Sequence, residues 1–157
     1  MDIELVNFLE LPIEQQLKSR FWRNSSEVSP YFKIKEIDEQ THKKWLNSLQ
    51  NDYPQNIAFV IKYNNEFIGV TYFHSVDYKK SCADWGIYIH ISSLKGKGIG
   101  SSVLQKCIEY AHDILNLRKI FLDVLNTNQR AIILYEKFGF KRIGENNSFY
   151  RYEYCLK

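Results

Sequence analysis

The stretch "SSLKGKGIGSSVLQKCIEYA", Ser92 to Ala111, decides the fold. It sets Gly96, Gly98 and Gly100, three of the chain's seven glycines, beside Lys95 and Lys97. After that turn Val103, Leu104, Cys107, Ile108, Ala111 and Leu115 recur at helical spacing. A helix start leaves backbone N–H groups unpaired and carries the positive end of the helix dipole, which makes an anion site. Glycines let phosphate oxygens approach the main chain, and the two lysines add positive charge. A P-loop would need G-x-x-x-x-G-K-[ST], which the chain lacks; a dinucleotide fingerprint would need G-x-G-x-x-G in an N-terminal βαβ unit. Read alone, the turn also fits a loop that merely reverses tightly between strand and helix.

Upstream, "DEQTHKKWLNSLQ" (38–50) has Asp38 or Thr41 as a cap and His42, Trp45, Leu46 and Leu49 on one helical face. "IAFVIKY" and "EFIGVTYFH" are apolar runs joined by Asn64-Asn65, residues that tolerate the positive φ of a hairpin. "CADWGIYIHI" follows as a third strand. Downstream, "KIFLDVL" alternates as a buried strand, and in "NTNQRAIILYEKFGF" Asn128 caps a helix with an inward stripe of Ala131, Leu134, Tyr135 and Phe138, ended by Gly139. "FYRYEYCLK" closes the chain as a strand with Tyr150, Tyr152 and Tyr154 on one face. This order predicts an α+β fold, layered α/β/α, with a mixed, mostly antiparallel sheet and helices on both faces.

At 157 residues and 45% hydrophobic content, residues 1–157 are expected to form one domain. A net charge of +3, scattered along the chain, argues against a nucleic-acid-binding role. Cys82, Cys107 and Cys155 lack C-x-x-C spacing and read as reduced thiols, with no metal site. The start "MDIELVNFLELP" has neither a basic n-region nor a long apolar h-region, and no apolar run reaches the roughly 20 residues of a membrane span. The expectation is a cytoplasmic protein.

"LKGKGIGSSVL" resembles the acetyl-coenzyme A pyrophosphate loop of the GNAT N-acetyltransferase superfamily, Q/R-x-x-G-x-G/A, through Lys95, Gly98 and Gly100; Lys95 replaces the usual Gln or Arg. "NTNQRAIILYEKFGF" is similar to the same family's N-x-x-A-x-x-L-Y-E-K-x-G-F segment through Asn128, Ala131, Leu134, Tyr135, Glu136, Lys137, Gly139 and Phe140. The resemblance implies acetyl-CoA as co-substrate. It would be held by the main chain of Ile87, Tyr88 and Ile89, by Lys95, Gly96, Lys97, Gly98, Ile99, Gly100 and Ser101, and by Asn128 and Tyr135. It also implies Tyr135 as general acid to the departing thiolate; the alternative is a core tyrosine. Asp123, in mid-strand between Leu122 and Val124, is costly unless hydrogen-bonded, solvated or used. It is the candidate base for the acceptor ammonium, with His42 and His74 as further candidates and a tie to a neighbouring side chain as the structural reading.

The segment Arg20 to Leu49, with "ADWGIYI" (83–89), is similar to the nucleotide-sugar amine acetyltransferases of bacterial pseudaminic acid synthesis. That resemblance implies acetyl transfer to the 4-amino group of a UDP-linked amino-dideoxy sugar, with flagellin glycosylation downstream. Arg23, Asn24, Tyr31, Phe32, His42, Trp45 and Tyr72 are the candidate acceptor residues. A UDP-sugar calls for cations and an aromatic platform, which Arg20, Arg23, Lys33, Lys35, Tyr31, Phe32 and Trp45 supply. A protein N-terminus or a polyamine are the alternative acceptors, and a catalytically silent coenzyme A binding module is the non-enzymatic alternative. The chain is expected to be a monomer or homodimer.

Overall fold

The computed structural model describes residues 2–156. Its strands are β1 (Ile3–Asn7), β2 (Ile57–Tyr63), β3 (Glu66–Asp77), β4 (Cys82–Ile89), β5 (Lys119–Leu125), β6 (Lys141–Asn146) and β7 (Phe149–Cys155). Its α-helices are α1 (Ile13–Asn24), α2 (Glu39–Ser48), α3 (Ile99–Asp113) and α4 (Gln129–Phe138). The strands form one sheet in the order β1-β2-β3-β4-β5-β7-β6. Every neighbouring pair is antiparallel except β4 and β5. That parallel pairing runs only from Cys82↔Lys119 to Asp84↔Phe121. Beyond Asp84, β4 stays paired with β3 as far as Ile89, while β5 continues against β7. The sheet therefore splits between β4 and β5.

Local chemistry explains the elements. Asn64 and Asn65 turn the β2–β3 hairpin with φ of 50° and 66°, the left-handed pair of a type I′ turn. Asp38 caps α2 by accepting from the Thr41 N–H at 2.7 Å, and Asn128 caps α4 through the Ala131 N–H at 3.4 Å. One sheet face buries Phe59, Ile61, Phe73 and Trp85 against Val103, Leu104 and Cys107 of α3 and Tyr135 of α4. The other buries Ala58, Val60 and Val70 against Phe8, Leu46 and Leu49, with Trp22 and Trp45 packed alongside. Helices cover both faces, as the order of elements predicts. The short run Ile57–Ile61 is buried throughout because it is sandwiched between these layers. Among the described residues no helix is long and apolar enough to cross a membrane.

Three elements go beyond the sequence reading: β1, α1 and β6. The closing strand is β7, and it pairs with β6 through a hairpin turned at Asn147 and Ser148, with φ of 47° and 73°. All six residues of β6 are exposed, so it carries no buried alternation to read. In α1 the buried positions are Gln16 and Ser19, while Ile13, Leu17 and Phe21 face solvent. Its apolar stripe points outward, which hides the helix from a pattern that assumes apolar means inside.

Candidate active site

The glycine turn stands where the split end of β4 meets α3. Gly96 and Gly98 both take φ of 82°, a left-handed conformation that costs other residues, and α3 starts immediately after Gly98. No described side chain caps this helix, so its first-turn N–H groups remain available to an anion. The Lys95 ammonium donates to the Glu27 carbonyl at 3.0 Å and lies 4.9 Å above the Tyr31 ring. It thereby fastens the turn to the loop after α1. The Arg130 guanidinium, in the first turn of α4, packs against Gly96: a Cβ there would lie 3.4 Å from its Cζ.

A cleft of about 550 Å³ opens here. One wall is Ile87, Tyr88 and Ile89 of β4, and the floor is Gly96 and Gly98 to Ser101. Asn128 to Ala131, Leu134 and Tyr135 form the α4 wall, with Glu27, Val28, Tyr31 and Phe32 opposite. It combines an unpaired strand edge, a helix start and a cation, which suits a long ligand with a diphosphate and amide groups.

Tyr135 is only 7% exposed, wedged edge-on to Trp85 at 6.1 Å and against Phe140 at 5.7 Å between ring centroids. Burial pushes its hydroxyl pKa well above the ordinary phenol range, and the nearby Tyr72 pushes it the same way. The hydroxyl is therefore protonated at neutral pH, the state of a proton donor. Burial likewise raises Tyr88, and raises Tyr72 to about 12 against the opposing pull of Arg23. Arg23 stacks on Phe32 with its Cζ 3.8 Å from the ring centroid and donates through Nη2 to the Ile34 carbonyl at 2.7 Å. Its Nη1 is buried and has no hydrogen-bond partner among the described residues.

On the α1–α2 side of the sheet, a charged group bridges the split. Arg151 forks Asp84 at 2.5 and 3.1 Å, and its Nη1 also reaches Asp123 at 3.3 Å. Lys33 closes the other side of Asp123 at 3.0 Å. His74 shares this neighbourhood; burial lowers its pKa, with Asp84 opposing, so the ring is neutral at pH 7. Asp123 faces away from the core that Leu122 and Val124 enter, and its side chain is 30% exposed. The cost expected for a carboxylate in mid-strand is met by this outward alternation and by two cations.

Residues 18–140 match the acetyltransferase (GNAT) family. The chain belongs to this family. GNAT relatives include acetyltransferase PseH of Campylobacter jejuni, 33% identical over 156 residues that cover 99% of this chain and 94% of the relative. Spermidine N(1)-acetyltransferase of Vibrio cholerae is 28% identical over 115 residues, 73% of this chain and 63% of that one. The crystal structure of Campylobacter jejuni PseH in complex with acetyl coenzyme A shares the fold at a TM-score of 0.75 and 24% identity, covering 99% of this chain and 100% of that one. The protein is thus an acetyl-CoA-dependent N-acetyltransferase.

Of the residues expected at the GNAT cofactor, all but Lys97 line the cleft; Lys97 is exposed outside the lining, and Arg130 joins Lys95 as a cation within it. Tyr31 and Phe32, expected at the acceptor, line this same cleft. Arg23 and Tyr72 are not in the lining, though both are near enough to its Tyr88 to influence that hydroxyl's pKa. Asn24, His42 and Trp45 fall outside. The Asn24 amide clamps the Ile37 backbone in both directions at 2.8 Å, a loop anchor. His42 is buried between α1 and α2, 2.9 Å from the Ser19 hydroxyl, and stacks on Trp45, which packs edge-on against Phe8. Glu27 and Val28 join the lining without any sequence signal, whereas Leu94 stands in the glycine-turn stretch and Thr127, Gln129 and Arg130 stand in the stretch ending at Phe140.

Proposed function

We propose that the protein moves acetyl from acetyl-CoA to the 4-amino group of a nucleotide-linked amino-dideoxy sugar, the acceptor class of the pseudaminic acid route. The observation that carries the acceptor class is charge balance. Asp84 and Asp123, the carboxylates facing the split on the acceptor side, are already matched by Arg151 and Lys33. Turning Lys33 aside frees one carboxylate, Asp123, for a single ammonium, whereas a polyamine carries further charges that call for further free carboxylates, and Asp84 stays tied to Arg151. The near-full-length sequence likeness to PseH, against a partial sequence likeness to spermidine acetyltransferase, supports the same reading.

In this reading the free main-chain edge of Ile87 to Ile89 aligns the pantetheine arm and the thioester. The neutral amine attacks the thioester carbon, and the C–S bond breaks as the new C–N bond forms. Tyr135 gives its proton to the departing thiolate, and the attacking nitrogen loses one proton to solvent, from which the phenol is restored, so the products are the amide and the free thiol. Asp123 receives the acceptor ammonium and orients it; only the neutral amine attacks, so the rate rises with pH as that fraction grows. The test follows coenzyme A thiol release with a UDP-linked amino-dideoxy sugar, spermidine and a peptide amine in competition. A preference for the sugar nucleotide is expected; a preference for either other amine would overturn the acceptor assignment.

A further inference from the structure

A second cleft, of about 430 Å³, adjoins the first. The two have no lining residue in common, but neighbouring stretches of chain line them: Tyr31 and Phe32 line the cofactor cleft while Lys33 and Lys35 line the second, and Leu125 lines the second while Thr127 and Asn128 line the first. Asn146, Asn147, Ser148 and Phe149 of the β6–β7 hairpin complete it. No described carboxylate lines this cleft. Among the described residues the Lys35 ammonium is held in place by neutral groups, the carbonyls of Pro30 at 2.9 Å and Phe32 at 2.5 Å. Lys33 sits 5.2 Å from the Phe149 ring centroid, and its only described carboxylate is Asp123. The cleft thus offers two cations, amide and hydroxyl groups, and an aromatic surface.

We propose that this cleft holds the diphosphate of the nucleotide-linked acceptor, an assignment that rests on the acceptor class proposed above. Lys35 is a preset cation for one phosphate, since the carbonyls fix its position without cancelling its charge. Lys33 is half exposed and mobile enough to turn from Asp123 to the other phosphate. As it leaves, the acceptor's ammonium takes its place as counter-ion to Asp123. The cluster of Asp84, Asp123 and Arg151 keeps its charge balance, and the amine arrives on the side of the split where the thioester ends. The diphosphate end and the amine end of one acceptor are then read by the two faces of a single ion pair.

The test uses the full chain and three variants, Lys35→Met, Lys35→Arg and Lys33→Met, with UDP as the probe of the subsite. UDP is expected to inhibit competitively against the sugar nucleotide and not against acetyl-CoA. Each Met variant should raise the KM for the sugar nucleotide about tenfold or more, the loss of one charge-assisted contact, with the KM for acetyl-CoA unchanged. Lys35→Arg should recover most of the affinity. Acetyl-CoA binding by calorimetry confirms that each variant is folded. If the wild type acetylates the sugar nucleotide and its KM is unmoved in all three variants, the subsite falls while the acceptor class stands. If the wild type neither binds UDP nor acetylates the sugar nucleotide, both fall. Competition of UDP with acetyl-CoA alone would place the nucleotide in the cofactor cleft and overturn the proposal.

Discussion

The Tyr72 ring crosses β4 at Gly86, where a Cβ would stand 2.5 Å from the tyrosine hydroxyl oxygen. Glycine is required at 86 for this close approach, not for an unusual backbone angle, since its φ is not positive. The missing side chain lets the Tyr72 phenol reach the split, where it bears on Tyr135. Gly86→Ala is expected to cost about 1–3 kcal/mol by overpacking. The cost should shrink in a Tyr72→Leu background, a coupling that a double-mutant cycle in urea measures directly. An equal cost in both backgrounds would mean that the two residues do not meet.

Tyr135→Phe keeps the contacts with Trp85 and Phe140 and removes only the hydroxyl. The expected loss in kcat is about 10²–10⁴-fold, with acetyl-CoA affinity little changed and the thermal midpoint close to wild type. Because burial raises the hydroxyl pKa above its ordinary value of 10, the acid form persists as pH rises through 10. The wild-type pH–rate profile should therefore show no decline attributable to this tyrosine below that pH, and the Phe variant should lower the whole profile without moving its limbs. A kcat equal to wild type would remove Tyr135 from the chemistry.

Much of this arrangement was legible because it rests on local rules. The glycine turn, the Asn64-Asn65 hairpin and the Asp38 and Asn128 caps each follow from a few residues whose backbone preferences point one way. The helix α4 was legible because its stripe and its cap agree. What escaped depends on contacts between distant segments. Arg151 carries no signal in "FYRYEYCLK", and its role appears only when β7 is laid beside β5 and across from Asp84. Asp123 read as a buried liability, because alternation tells which residues share a face but not which face is wet. His42 and Trp45 read as acceptor groups from their chemistry, yet packing against α1 and Phe8 commits them to the helix layer.

Arg151 is the hinge of the acceptor-side charge cluster. Asp84 is 16% exposed in its side chain, and Arg151 supplies the described hydrogen bonds to its carboxylate. Arg151→Met strands that carboxylate and should destabilise the fold by about 1.5–3 kcal/mol. Adding Asp84→Asn should restore a large part, because an amide tolerates the site without a cation. Urea denaturation of the single and double variants checks this, and a double variant no more stable than Arg151→Met would rule out a stranded charge as the cause.

His42 sets an acid limit to stability. It is 6% exposed, bonded to Ser19 at 2.9 Å, and burial lowers its pKa from 6.5 to about 4, with Arg20 pushing the same way. Above pH 6.5 the ring is neutral in both the folded and the unfolded chain and contributes no pH dependence. As pH falls from 6.5 towards 4, the unfolded chain takes up a proton that the fold refuses, so stability drops; below about 4 both states are protonated and the loss levels off. The gap corresponds to at most about 3 kcal/mol at the linkage value of 1.36 kcal/mol per unit. His74 and His90 are also lowered by burial and add to the same limb, so His42→Gln should flatten it without abolishing it. Urea midpoints at neutral pH and at two values inside this window measure the slope. A His42→Gln slope equal to wild type would show that the ring is not held neutral in the fold.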